Sequence, residues 1–235
     1  MKKTIVQNPN IVKDFLSIDN IDGFANNLKT CIKYYSKGIE LSSIYIDDAV
    51  LRAYFIAKAE GKNSTISKDI LIDLVLSLGF WARWAPEDCD FDNLANNILN
   101  LVINSNSFIR ASALASLGFL WQRIPEYTDD WMIFSDAFLE NEPIIKIYSL
   151  FGIHTAIQNP QNMPPDYTIE SLLDLLEDSD SEIREEAALI IHHISKHKPE
   201  KLIPYRRRIE YRYKSGINNM VIRRLKKAIA NINDA

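Results

Sequence analysis

His193 and His197 stand four residues apart, the spacing at which two imidazoles on one helix face can share a zinc ion. Such a site needs a third ligand, and its metalloprotease version places a glutamate directly after the first histidine, where this chain has Ile194. His192 and His193 therefore read as surface on a second helix, with His154 on a neighbouring helix face, and no metal site is expected. Cys31 and Cys89 lie far apart, outside any metal-ligand spacing, and read as ordinary cytosolic thiols.

Carboxylates gather in two short runs, Glu87, Asp88, Asp90 and Asp92, then Glu126, Asp129 and Asp130. Acid–base catalysis needs a carboxylate whose surroundings shift its pKa, and a solvated loop supplies no such surroundings. There is no glycine-rich phosphate loop, no Gly-x-Ser-x-Gly elbow and no Cys/His pairing spaced for nucleophilic attack. No catalytic residue and no cofactor is expected.

Binding chemistry is better represented. Trp81, Trp84, Trp121 and Trp131 fall in the middle of the chain; Trp84 follows Arg83, and Trp121 precedes Gln122 and Arg123. Tryptophan and arginine at an exposed edge anchor protein interfaces, whereas the same residues turned inward are packing. The candidate partner-binding set is Trp84, Glu87, Asp88, Asp90, Trp121, Arg123, Asp129 and Asp130. A second candidate lies in the basic tail, where Arg206, Arg207, Arg208, Arg212 and Lys214 interleave with Tyr205, Tyr211 and Tyr213, as phosphate contacts and base stacking require. The competing reading is a terminal cap helix, since Tyr205, Ile209 and Tyr213 recur every four residues as a buried stripe would. Residues 196–235 carry a net charge of +9, so a chain of net −4 leaves −13 to residues 1–195.

These residues must be held by something periodic. Ser77-Leu78-Gly79-Phe80 recurs as Ser116-Leu117-Gly118-Phe119, and Pro86 and Pro125 follow at the same interval of 39. Ile109-Arg110, Ile145-Lys146, Ile183-Arg184 and Ile222-Arg223 repeat at 36, 38 and 39 residues, each opening a second helix. Ile183, Ala187, Ile190, Ile191 and Ile194 trace one amphipathic stripe. Preceding helices read from Leu94, Ile98, Leu99, Leu101 and Val102, from Trp131, Phe134, Phe138 and Leu139, and from Ile169, Leu172, Leu173, Leu175 and Leu176. Turns such as Asp178-Ser179-Asp180-Ser181 supply helix caps between the pair. A period near forty residues signals stacked helical hairpins. Gly79 and Gly118 are read as points of close helix packing.

Leu175 to Asp178, through Ile183-Arg184 to Ala187-Ala188, resembles a HEAT repeat, whose units carry an acidic residue six positions before a basic one. Asp178 precedes Arg184, Glu140 precedes Lys146 and Asn104 precedes Arg110 by that distance, whereas Ile217 stands before Arg223. The resemblance, over roughly residues 65–232, implies an all-α, right-handed α-solenoid with a hydrogen-bonded ladder through Asn104, Arg110, Glu140, Lys146, Asp178 and Arg184. Residues 1–62 are expected as an N-terminal helical cap and residues 63–235 as one continuous repeat domain ending in basic capping helices. Asn159 to Pro165 is read as an inter-repeat loop.

Solenoids of this kind serve many tasks, so function must come from what the repeats carry. The favoured reading is a non-catalytic, cytoplasmic scaffold that holds a protein partner, with its acidic balance suited to a basic one, as in an immunity or antitoxin protein masking a toxin. The alternative is a nucleic-acid-binding protein, which in size and helical-repeat construction resembles the alkylation-repair DNA glycosylases. No apolar run is long enough for a membrane span, and polar residues from Gln7 to Asp14 interrupt any signal-peptide core.

Overall fold

The computed structural model describes residues 9–39, 41–128, 130–215 and 218–234, and every regular element among them is helical. None of these helices is long and apolar enough to cross a membrane. The chain forms two compact units, Met1–Arg123 and Ile124–Ala235.

In the first unit the helices are α1 (Pro9–Leu16), α2 (Ile21–Tyr35), α3 (Ser43–Ala59), α4 (Lys68–Trp84), α5 (Phe91–Val102) and α6 (Ser107–Arg123). Their starts follow from short polar side chains that satisfy otherwise orphaned amides. Asn20 accepts from the Gly23 amide, Ser67 from Ile70, Asp90 from Asn93, and Asn106 from Phe108 and Ile109. After α2 the chain turns through Gly38, whose φ of 70° a residue with a side chain rarely adopts. Helices α2, α4 and α6 pack side by side as one row, and α3 and α5 form a second row against α4 and α6. Phe24, Leu28, Ile46, Leu74, Leu78, Ile98 and Ile109 are fully enclosed between the rows. Helix α6 is buried on every face from Ala111 to Trp121, as its small and apolar circumference requires.

The second unit contains α7 (Met132–Ala137), α8 (Pro143–Ala156), α9 (Asp166–Asp174), α10 (Ser181–His197), α11 (Arg206–Ser215) and α12 (Asn219–Asn233). Short 3₁₀ turns at Pro125–Tyr127, Leu175–Glu177 and Pro199–Tyr205 join them. Here α10 packs between α8 and α12, α7 packs on α9, and α11 lies on α12. Each Ile-Arg or Ile-Lys marker falls in the first turns of the second helix of a pair, α6, α8, α10 or α12.

Two of the expected faces are narrower than their sequences suggest. Helix α7 ends at Ala137, so Leu139 sits in the following turn and is 82% exposed, while Trp131, Phe134 and Phe138 are buried. Leu99 turns outward on α5, because Leu94, Ala95, Ile98 and Leu101 already fill the side facing the core. The proline-rich segment between α8 and α9 is an irregular connector, pinned by buried Asn162, whose side-chain amide donates to the Ala156 carbonyl.

Candidate functional site

Of the residues with the acidic-then-basic spacing, Asn104, Glu140 and Asp178 lie in the turns between paired helices, and Arg110, Lys146 and Arg184 lie in the first turns of the helices that follow. Arg110 donates from Nη1 to the Asn104 carbonyl at 3.1 Å, and Arg184 donates to the carbonyls of Asp178 at 2.6 Å and Ser179 at 2.9 Å. In both repeats the guanidinium folds back six residues onto its own turn. Lys146 reaches from one repeat to the next, donating to Asp178 Oδ2 at 2.8 Å. Asp178 Oδ1 also accepts from the Asp180 amide. Burial would raise the Asp178 pKa, but the Lys146 hydrogen bond, the Asp180 amide and the Lys146 and Arg184 charges hold it below its usual value. Glu140 is half-buried in the turn after α7. Ile217 lies outside the described residues.

The first unit carries a cleft of about 310 Å³ in which four aspartates meet. Asp88 and Asp90 come from the loop between α4 and α5, within the acidic run legible in sequence. Asp47 and Asp48 come from α3, some forty residues earlier, and no local pattern marks them. Trp81 and Cys89 join them, and Val50, Leu51 and Leu94 supply apolar wall. Asp47 is the anchored member, because its Oδ1 accepts from the Trp81 indole at 2.5 Å and faces the Cys89 thiol at 3.6 Å. Its Oδ2 accepts no hydrogen bond among the described residues. Burial raises the Asp47 pKa, against the lowering effect of those two donors, and Asp48 and Asp88 raise it further. Burial, with the negative charge of Asp47 adding to it, pushes the Cys89 thiol up to about 12, which favours the neutral thiol as a donor to Asp47. Cys31, buried in α2, is pushed up to about 11. Four carboxylates around an apolar wall suit a cationic side chain, whose methylene stem packs below while its charged head meets the rim.

The tryptophans divide sharply. Trp84 is 43% exposed, with the Arg83 guanidinium 5.2 Å from its ring centroid. Trp121 is 2% exposed, which corrects its placement at a binding edge: it faces inward on enclosed α6 and is core. Trp81 and Trp131 are also buried. Glu87, Asp88 and Asp90 are exposed on the loop that follows Trp84, so these four members of the candidate set occupy one stretch of the first unit. Arg123 is exposed at the end of α6; Asp130 is exposed in the second unit, and Asp129 lies outside the described residues.

Charge is distributed differently from the simple split at residue 195. Residues 1–123 carry thirteen acidic and thirteen basic side chains, so the surplus of −13 belongs to residues 124–195, where only Lys146 and Arg184 oppose fifteen carboxylates. The basic tail folds back on that surplus. Arg208 pairs with Asp174, Arg212 with Glu177 and Lys201 with Asp166, and Arg224 donates to the Glu185 carbonyl. Arg206 pairs with Glu210 on its own helix at 2.8 Å. Of the five residues expected to meet nucleic acid, Arg206, Arg208 and Arg212 are thus engaged with carboxylates, while Arg207 and Lys214 are exposed. Ile209 is fully buried and Tyr205 and Tyr213 are half-buried, as a cap helix requires.

The histidines are not simply surface. His193 is half-buried, with ring centroids of His154 at 5.6 Å and His197 at 4.6 Å, because α8 packs against α10 there. Burial, then the neighbouring His197 and His154, lowers the His193 pKa to about 4. Among the described residues no group of three or more His, Cys, Asp or Glu is arranged to hold a metal ion.

No protein-family model matches this sequence, and no curated protein sequence matches it. Solved structures do match the fold. A designed armadillo repeat protein in complex with the peptide (KR)4 is 13% identical, covering 98% of this chain and 100% of that one, with a TM-score of 0.57. Computationally designed armadillo repeat proteins for modular peptide recognition match at 12% identity, 96% and 100% coverage and a TM-score of 0.54. The MAST/Orbit N-terminal domain matches at 13% identity, 95% and 97% coverage and a TM-score of 0.50. The fold is an all-α solenoid, similar to that of these armadillo repeat structures.

Proposed function

We propose that this chain is a non-catalytic, cytoplasmic protein-binding scaffold that grips a cationic segment of its partner in the four-aspartate cleft of the first unit. The observation that carries the reading is the convergence of Asp47 and Asp48 with Asp88 and Asp90 around Val50, Leu51 and Leu94. Exposed Trp84 beside Glu87 extends the surface with the residue type that most often anchors an interface. A protein of this fold class has been solved with the basic peptide (KR)4, which supports the same use of a repeat surface. Both cysteines are free, which suits a reducing compartment.

The test is fluorescence anisotropy with a labelled octapeptide of alternating lysine and arginine. Binding is expected to weaken steeply with salt and to fall by about tenfold or more in D47N/D48N/D88N/D90N. Equal affinity in that variant removes the cleft from the reading. Retention of DNA at low salt, with no peptide binding, replaces it with the nucleic-acid alternative. A narrower version, in which the partner is a basic toxin held inactive, predicts that co-expression of this chain protects a cell from that toxin and that the four-aspartate variant does not.

A further inference from the structure

Helix α3 is apolar on two opposite sides. Ile46, Ala49, Val50, Ala53, Tyr54 and Ala57 face the core, whereas Ile44, Leu51 and Phe55 are 68%, 36% and 58% exposed. A helix packed on one side in a solenoid needs only one apolar face, so the second is not explained by folding. The outer residues are also ordered. Ile44, Asp48, Leu51 and Phe55 stand at i, i+4, i+7 and i+11, the alternating spacing by which one helix presents a seam to another. Asp48 interrupts the apolar seam with a negative charge. Both Asp48 and Leu51 also line the cleft, so seam and cleft share a border.

We infer that the Ile44–Asp48–Leu51–Phe55 seam docks an amphipathic helix of a partner protein, one with an apolar stripe and a lysine or arginine facing Asp48. The inference rests on the cleft reading and names the form the cationic segment takes. Charge complementarity selects this occupant, because an apolar helix would leave Asp48 desolvated and unpaired, and an acidic one would be repelled by the four aspartates. The apolar residues supply the affinity, and Asp48 sets the register.

The test uses the full chain and a labelled helical peptide of about eighteen residues, with leucines at three- and four-residue spacing and lysines elsewhere. I44S/L51S/F55S is expected to weaken this peptide by about tenfold or more. These positions are exposed, so the variant should keep its helix content and melting temperature. I44S/F55S, which leaves the cleft wall at Leu51 intact, should also weaken the helical peptide while binding the alternating lysine–arginine octapeptide, which has no apolar stripe, as the parent does. D48K should lose the lysine–leucine peptide and recover affinity for a version with glutamate at the central positions. If the triple variant binds the helical peptide unchanged, or a glutamate–leucine helix binds the parent equally well, the seam inference is overturned while the cleft reading stands. If neither cationic peptide binds the parent, the cleft reading falls and takes the seam with it. If the free chain sediments as a dimer and the triple variant as a monomer, the seam belongs to a second copy and the inference is overturned.

Discussion

Gly79 on α4 admits Ser116 on α6 so closely that a Cβ built on the glycine would lie 2.6 Å from the serine Cα. The same atom would lie 2.8 Å from Ser116 Cβ and Oγ. Thus the glycine of the first Ser-Leu-Gly-Phe receives the serine of the second, and Ser116 Oγ donates to the Val75 carbonyl at 3.0 Å. Because the closest obstacle is backbone, Gly79→Ala should cost about 1–3 kcal/mol or more in urea denaturation. Adding Ser116→Gly should not restore the loss, since the backbone of residue 116 still blocks the added methyl group. Ser116→Ala alone should cost about 1 kcal/mol, the worth of the lost hydrogen bond.

Lys146 and Asp178 form a largely enclosed pair, with side chains 20% and 11% exposed. Asp178→Ala removes the lysine's partner and the acceptor of the Asp180 amide together, and should cost about 3 kcal/mol. The folded pKa of Asp178 lies below the unfolded value of 3.8, so its contribution is complete above that value and fades as pH falls through the folded pKa. Chemical denaturation across this acid range should show the gap between wild type and Asp178→Ala closing.

His193 titrates at about 4 in the fold against 6.5 when unfolded. The unfolded chain therefore binds the proton more readily between those values, and stability contributed by His193 is lost as pH falls from 6.5 towards 4. His154 is lowered as well, by burial and then by Arg224, and acts in the same direction. Melting temperatures at stepped pH should show the advantage of wild type over His193→Gln shrinking through this interval and levelling below it.

Asp47 has the opposite sign. Its pKa is raised, so the fold favours the protonated acid and loses stability as pH rises through the folded value. Asp47→Asn keeps an acceptor for the Trp81 indole and removes a half-buried charge. Its melting temperature at neutral pH should rise, while its affinity for the lysine–arginine octapeptide falls. A variant that gained stability without losing affinity would remove Asp47 from the binding surface.

The hairpin repeats are legible in the sequence because helical periodicity is local: Ile183 to Ile194 marks one stripe whatever packs against it. Turn chemistry is equally plain, since Asp180 and Asn106, in the polar turns at 178–181 and 104–107, cap the helices that follow them. The loop half of the cleft, Asp88 and Asp90, stands out as a charge run. Asp47 and Asp48 do not, because an Asp-Asp pair inside α3 resembles any solvated helix face. Leu51 and Phe55 are hidden for a related reason, as an apolar residue on an apolar helix does not announce which side it faces.

The sequence by itself determined the helical pairs, their caps and the close approach at Gly79, all of which depend on neighbours along the chain or on a repeat interval. Tertiary structure alone decided where charge is compensated and where it is left. It set Arg208 and Arg212 against Asp174 and Glu177, turned Trp121 inward and Trp84 outward, and brought Asp47 to Asp88 across some forty residues. Burial and ion pairing are properties of what packs alongside a residue, and only the folded chain supplies that neighbour.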